Sequence, residues 1–209
     1  MGMPRNPMDS RFYEYLDQGS QAICDSARIL KDFIDSGRDP ADQLEQLESI
    51  EQKGERMFTL LQDQLNLTPD APFEREDVSV LGRELAGMIE YIHQILELMV
   101  KYHTQSPDPS IITLVELLER AAGEIRSAVL GLASLQTNYE QVLEACDKIR
   151  NYEQQGDFLF RTGVALLFEN FDNAIEIGRW QKVLEHLQAA LEHCEQVSNV
   201  LIGVATKYA

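Results

Sequence analysis

Two pairs of carboxylates recur at matching places in the chain, and their spacing is suited to metal chemistry. Glu51 and Glu55 are four residues apart, and Glu153 and Asp157 repeat that spacing. In an α-helix, residues four apart lie on one face, one turn from each other. Carboxylates this close repel unless something positive lies between them. Hard cations accept oxygen ligands of this kind, and helical bundles build metal sites from carboxylates on facing helices.

Further carboxylates that could complete such sites come from the next helix of each half. Because these acids lie beside the apolar stripe of their helices or away from it, a site there would be near the surface and shared by two helices. Acidic pairs at this spacing also arise by chance on solvated helix faces, but their recurrence in both halves favours metal binding. The candidate metal ligands are Glu51, Glu55, Glu90, Glu153, Asp157, Glu192 and Glu195.

The elements that would position these acids are long amphipathic helices. Apolar residues repeat every three or four positions, and no strand-like alternation competes with that period. Prolines and glycines interrupt the pattern near residues 36–40, 66–72 and 106–109, where they favour helix ends. The sequence therefore predicts an all-α protein. Its six long antiparallel helices are predicted at about 8–36, 40–66, 74–103, 110–131, 133–169 and 174–207.

The second half of the chain repeats the first. Glu51 to Glu55 align with Glu153 to Asp157 after a shift of 102 positions, and the third helix aligns with the sixth after a shift of 106. This internal duplication predicts two tandem three-helix bundles, 8–103 and 110–208, packed together as one domain. Gly54 and Gly156 lie between the paired acids, at a cost of about 1 kcal/mol each relative to alanine. Glycine there permits close approach of another helix or of a bound ion.

The charge balance excludes some classes of partner. The chain has 18 basic and 35 acidic residues, a net charge of -17. Such a surface repels nucleic-acid backbones and anionic lipid headgroups, so we expect neither nucleic-acid binding nor direct membrane insertion. No apolar run reaches the roughly 18 residues of a membrane span. Three cysteines without metal-site spacing suit a reducing, cytoplasmic compartment. The broad apolar stripes are compatible with a homo-oligomer.

Two other hypotheses for this acidic helical chain stay open. Glu90 and His93 form a Glu-x-x-His unit like those of di-iron carboxylate enzymes of the ferritin-like class, which need two such units and two further glutamates. Because the chain has no second unit, we expect His93 to be an ordinary surface or packing residue. No phosphate-binding loop, nucleophile elbow or Cys-x-x-Cys motif is present, which predicts a protein that is not an enzyme. The other alternative is an acidic helical adaptor without metal.

Three stretches carry a resemblance to a known family. They are Pro72-Phe73-Glu74-Arg75-Glu76-Asp77-Val78, the Glu153 to Asp157 motif followed by Leu166-Leu167-Phe168, and Glu192-His193-Cys194-Glu195 with Val197 and Asn199. Over about residues 10–208 the chain resembles the PhoU-like proteins encoded beside Pit-type phosphate transporters. The resemblance implies two three-helix bundles and an accessory or regulatory role in inorganic phosphate uptake. It also implies that the partner is the cytoplasmic face of the transporter, which would hold the protein at the inner face of the membrane.

The resemblance further implies multinuclear iron or zinc clusters on Glu/Asp-x-x-x-Asp motifs. Glu51, Glu55, Glu153, Asp157 and Glu192 match those motifs. The family's third helix usually reads Leu-Asp-Asp-Ile-x-Asp, where this chain has Leu85-Ala86-Gly87-Met88-Ile89-Glu90, so one of three acids is kept. In the sixth helix Gln196 replaces the family's next aspartate. If one half binds metal, we therefore expect the second to do so, through Glu153, Asp157, Glu192 and Glu195.

Overall fold

The six predicted helices are present, and the fold class is all-α. The computed structural model describes residues 7–36, 40–68, 71, 73–102, 109–170 and 173–209. No strand occurs in these ranges. The helices are α1 (Pro7–Ser36), α2 (Pro40–Leu67), α3 (Arg75–Lys101), α4 (Pro109–Leu132), α5 (Leu135–Asn170) and α6 (Ala174–Tyr208). The breaks predicted at residues 37–39 and 106–108, and the predicted last residue of α3, lie outside the described ranges.

Local hydrogen bonds explain where the helices begin. The Asn173 side chain accepts a hydrogen bond from the Ile175 backbone N–H at 3.0 Å, which satisfies one of the free amides at the start of α6. The start of α5 is two residues later than predicted, because Ala133 and Ser134 form a tight turn. The Ser134 N–H donates to the Gly131 carbonyl at 3.1 Å, and the Ser134 carbonyl then accepts the first hydrogen bonds of α5.

Four helices surround the centre of the molecule, and two lie outside them. α1, α2 and α3 contact one another, as do α4, α5 and α6. Between these two groups, α1 packs on α4 and α3 packs on α6. The central helices are therefore α1, α3, α6 and α4, while α2 covers the side formed by α1 and α3, and α5 covers the side formed by α4 and α6. This places α2 and α5 at opposite edges.

The core is a continuous set of apolar side chains contributed by all six helices. Across α3 and α6, the Met88 and Cys194 sulfur atoms lie 3.7 Å apart. Across α1 and α4, the Cys24 thiol donates to the Ala122 carbonyl at 3.3 Å. Trp180 is 7% exposed, as its place in the apolar stripe of α6 predicts. Contacts of this kind join the two halves into one core.

The end of α6 is fixed to the start of α3 by a small polar group. Lys207 Nζ lies 2.6 Å from Glu74 Oε2 and 3.0 Å from Asp77 Oδ2, and these two carboxylates raise the pKa of Lys207. The Tyr208 hydroxyl donates to Asp77 at 3.1 Å and accepts the Glu74 backbone N–H at 2.7 Å. The Tyr208 ring packs on Phe73, with ring centroids 4.9 Å apart. Two acids at the start of α3 therefore hold the last residues of α6 in place.

Charged side chains cover the outer faces of the helices. Many form pairs within one helix, such as Arg150 with Asp147 and Lys182 with Glu185, and pairs this exposed contribute little to stability. None of the helices in the described ranges has an apolar stretch long enough and sparing enough of charge to cross a membrane.

Two glycines of α4 test how tightly the helices pack. A Cβ added to Gly131 would lie 2.5 Å from Val142 Cγ2, whereas a Cβ added to Gly123 meets nothing within 4 Å. Valine is rigid at χ1, so Gly131→Ala should force α4 and α5 apart and lower the free energy of unfolding by about 1 kcal/mol or more. Gly123→Ala should raise it by about 0.5–1 kcal/mol through helix propensity. Urea unfolding of both variants measures the difference, and equal effects would contradict the close contact.

Candidate functional site

The structure brings together the four acids predicted in the second half. Glu153 on α5 is half-buried and accepts a hydrogen bond from Gln188 Nε2 on α6 at 3.4 Å. Burial raises the pKa of Glu153, and the negative charges of Glu195, Asp157 and Glu192 raise this pKa further, while the Gln188 hydrogen bond lowers it. We call Glu153, Asp157, Glu192 and Glu195 the second-half acidic cluster. It has the near-surface position between two helices that the sequence predicts.

Two arginines neutralise part of this cluster. Arg161 binds Asp157 with both ends of its guanidinium, at 2.8 Å from Nη2 and 3.1 Å from Nε. Arg150 Nε lies 3.7 Å from Glu195 Oε1. Among the residues that the structure describes, Glu153 has no cationic partner. The negative charge of the cluster is therefore partly neutralised at Asp157 and Glu195, whereas the charge of Glu153 is not neutralised by any cation of the described residues.

In the first half, Glu51 and Glu55 lie beside His93 of α3. The His93 Nδ1–H donates to Glu51, and His93 Nε2 lies 3.9 Å from Glu97 Oε1. Only 13% of the His93 side chain is exposed. These residues line an open depression of about 470 Å³ together with Leu44, Glu48 and Gln52. The sequence predicts only a surface or packing role for His93. The structure instead pairs it with Glu51, a predicted metal ligand.

Glu90 does not join the other predicted ligands of the first half. Its side chain is exposed and accepts a hydrogen bond from Gln94 of the same helix at 3.0 Å. The structure therefore brings Glu51 and Glu55 together and leaves Glu90 apart. Because Glu90 and His93 do not act on a common partner, no contact in the described residues favours the di-iron alternative.

The aligned positions explain why the two halves differ. Shifting Glu192 and Glu195 back by 106 positions gives Ala86 and Ile89. The first half therefore lacks both acids that α6 supplies to the second-half acidic cluster. The side chain of Ile89 lies against α2 at the position that aligns with Glu195, and Glu51 pairs with a histidine of α3.

The glycine between the paired acids permits close packing of the next helix, one of the two roles expected for it. A Cβ added to Gly54 would lie 2.6 Å from Ile89 Cδ1. A Cβ added to Gly156 would collide with Leu191 Cδ1 and lie 3.3 Å from Gln188 Oε1. The absence of a side chain at Gly156 thus lets α6 approach α5 closely enough for Gln188 to reach the neighbouring carboxylate.

A metal fits the second-half acidic cluster by the chemistry of its donors but not by their present arrangement. Carboxylate oxygens are the ligands that hard cations prefer. Within the described ranges, no three His, Cys, Asp or Glu side chains are placed so that they could hold one ion. To bind an ion, the carboxylates of Asp157 and Glu195 would have to leave Arg161 and Arg150. The assignment of iron or zinc stays a prediction.

His193, to which sequence spacing gave no role, joins the two halves beside the cluster. It is 9% exposed. Its Nε2–H donates to the Glu84 carbonyl at 3.1 Å and lies 3.5 Å from the Glu84 carboxylate. Its ring packs on Tyr91 with centroids 4.9 Å apart and lies beside Gly87. These contacts of His193 fix α6 on α3, next to Glu192 of the cluster.

Solved structures with this arrangement of helices are PhoU-like proteins. One PhoU-like protein from Shewanella oneidensis MR-1 superposes with a TM-score of 0.80 at 16% identity, covering 94% of this chain and 99% of its own. A second protein of that organism, described as a PhoU-like phosphate regulatory protein, superposes with a TM-score of 0.74, with the same identity and coverage. The fold is therefore the PhoU-like fold, and the resemblance seen in the sequence is confirmed.

In sequence, the chain is similar to UPF0111 protein YkaA of Bacillus subtilis (strain 168). The two are 26% identical over 180 residues, which cover 86% of this chain and 82% of the relative. No protein-family model matches the chain. The similarity thus extends over most of both chains.

Replacement of Glu153 should reveal the repulsion in the cluster. Because the folded-state pKa is raised above that of an ordinary glutamate, ionised Glu153 destabilises the fold at pH values above the raised pKa, and this destabilisation disappears as the pH falls through it. Glu153→Gln keeps an oxygen that can accept from Gln188. We expect it to raise the free energy of unfolding by about 0.5 kcal/mol at pH 7, with a smaller gain at pH 4.5.

The matched control is Glu140→Gln, because Glu140 is an exposed glutamate of the same helix outside the cluster. Urea unfolding of both variants at the two pH values measures the effect. The expectation is contradicted if Glu153→Gln and Glu140→Gln change the free energy of unfolding equally. It is also contradicted if Glu153→Gln raises that free energy more at pH 4.5 than at pH 7, because the carboxylates then do not repel one another in the folded protein.

Proposed function

We propose that the chain is a non-enzymatic accessory or regulatory protein of inorganic phosphate transport. The observation that carries this proposal is the agreement of fold over nearly the whole chain with PhoU-like proteins, one of them described as a phosphate regulatory protein. The sequence motifs at residues 72–78, 153–157 and 192–199 point to the same family. Its rigid frame of long helices, with polar groups on the outer faces, suits a protein that acts by binding.

The proposed partner is the cytoplasmic face of a Pit-type phosphate transporter. Cytoplasmic loops of membrane proteins carry an excess of lysine and arginine. A protein with a net charge of -17 is complementary to such loops and is repelled by the anionic lipids around them. We therefore propose that this protein reaches the inner face of the membrane through the transporter, not through lipid.

Within this proposal, the second-half acidic cluster is the part of the protein that responds to metal. Glu153, Asp157, Glu192 and Glu195 are the residues that would hold an iron or zinc ion, and the ion would supply the positive charge that Glu153 lacks. A cation that binds the folded protein and not the unfolded chain stabilises the fold, and this stabilisation grows with the logarithm of the free cation concentration once that concentration exceeds the Kd. It would thereby favour the docked arrangement of α5 and α6, which a partner could recognise.

The transport role is tested by phosphate uptake. Deletion of the gene in its own host should change the initial rate of radiolabelled phosphate uptake, and a plasmid copy should restore it. The tagged protein, purified from membranes in mild detergent, should carry the transporter with it at low salt and lose it at high salt, since screening weakens the charge attraction. Unchanged uptake in both phosphate-rich and phosphate-poor medium would overturn the transport role.

The metal response is tested by thermal melting. We expect added iron or zinc to raise the Tm of protein pretreated with EDTA, and Glu153→Ala to reduce that rise strongly because the most buried ligand is removed. Glu140→Ala is the matched control and should keep the full rise. Elemental analysis of protein purified without chelator supplies a second measurement. No metal in that preparation and no shift in Tm would leave the metal-free adaptor as the correct description.

A further inference from the structure

α2 carries acidic residues on the side that faces α3 and basic residues on its other side, where it borders a second surface depression. α2 and α4 both pack on α1, but they do not contact each other in the described residues. Between them an open groove of about 440 Å³ runs along α1. Residues 17–25 of α1 and 50–60 of α2 line it, together with Arg126 of α4. We call this surface the α1/α2/α4 groove.

The floor of the groove is apolar. Ala22 and Ile50 are half-buried there, and Met57 is 4% exposed. At the rim Leu60 is 43% exposed, although it is a large apolar side chain in the middle of a helix. The groove follows the helix axes for two to three turns and is open to solvent along that length. Its shape therefore suits an elongated occupant better than a small enclosed ligand.

Cations stand on both walls of this groove. Lys53 and Arg56 on α2 are exposed, and neither makes an ion pair within the part of the chain that the structure describes. On the α4 wall, Arg126 Nη2 lies 3.3 Å from Asp17 Oδ1, while the buried Arg126 Nε faces no acceptor among the described residues. Asp25, also in the groove, is bonded to neighbours on α1. Lys53 and Arg56 thus lie beside an apolar strip on the α2 wall, in a protein of net charge -17, whereas Arg126 on the α4 wall is paired with Asp17.

We propose that the α1/α2/α4 groove binds an acidic amphipathic helix of a partner protein. The apolar stripe of such a helix would cover Ala22, Ile50 and Leu60, as helices do in hydrophobic grooves. Carboxylates on one flank of the stripe would pair with Lys53 and Arg56. The other flank would carry neutral polar side chains, because Arg126 already pairs with Asp17 and Asp25 lies in the same groove.

The net negative charge of the protein does not prevent this interaction. At physiological ionic strength charges farther apart than about 8 Å are largely screened, so the nearest cations determine the local attraction. The groove is also separate from the second-half acidic cluster and from the depression beside His93. Its proposed role goes beyond the function in phosphate transport and does not depend on it.

A synthetic probe tests the proposal with the full-length protein. The probe is a fluorescein-labelled helical peptide of about 14 residues, with leucines at positions i, i+3, i+4 and i+7, glutamates on one flank and glutamines on the other. Fluorescence anisotropy should detect binding that weakens as salt is added. Charge reversal by Lys53→Glu with Arg56→Glu should weaken binding about tenfold or more. Leu60→Asp should weaken it as well, since it places a charge on the apolar stripe.

The matched control is Lys101→Glu with Arg179→Glu, which makes the same change in charge at exposed positions outside the groove; it should leave the affinity within about twofold. Circular dichroism checks that each variant is folded. Equal weakening by the control, binding that ignores the groove variants, or no binding of the probe would each overturn the proposal. Binding of decanoate that requires Lys53, without binding of the peptide, would also overturn it, because the groove would then be a small-molecule site.

Discussion

The whole structure depends on one constraint: each three-helix unit has an apolar face that only the other unit covers. α1 and α3 turn this face toward α4 and α6, and contacts such as Met88 with Cys194 lie where the two faces meet. Burial of one large apolar side chain contributes about 1.5–3 kcal/mol, and this interface contains many. Neither unit could leave its partner without exposing those side chains to water, so the duplicated halves fold as parts of one core.

This constraint leaves the outer helices free to carry chemistry. α2 and α5 each bury one stripe against two central helices and expose the rest of their surface. Carboxylates placed at the edge of the buried stripe, such as Glu51 and Glu153, are held firmly by the helix without interrupting the core. Burial and neighbouring acids raise the pKa of Glu153 there. The edge of an outer helix thus combines a fixed backbone with side chains that can still reach an ion or a partner.

The duplication has preserved the frame and changed the chemistry on it. The second half places four acids around Gly156, whereas the first half places His93 beside Glu51 and has Ile89 where α6 has Glu195. α2 also has two chemically different faces, because Glu51 faces α3 while the exposed Lys53 and Arg56 face the α1/α2/α4 groove. Two halves with the same helix order therefore offer unlike surfaces to partners.

The fold class, the six helices to within about two residues at most ends, and the placing of the paired carboxylates one turn apart on one helix face can all be predicted from the sequence. Those features follow from the 3.6-residue period, which fixes the direction of each side chain within its own helix. The packing of α3 against α2 is what places His93 against Glu51 and leaves Glu90 apart from the other predicted ligands. The axial and rotational register between helices is set by how side chains such as Ile89 and Leu191 fit against facing glycines. The period of a single helix carries no information about that fit.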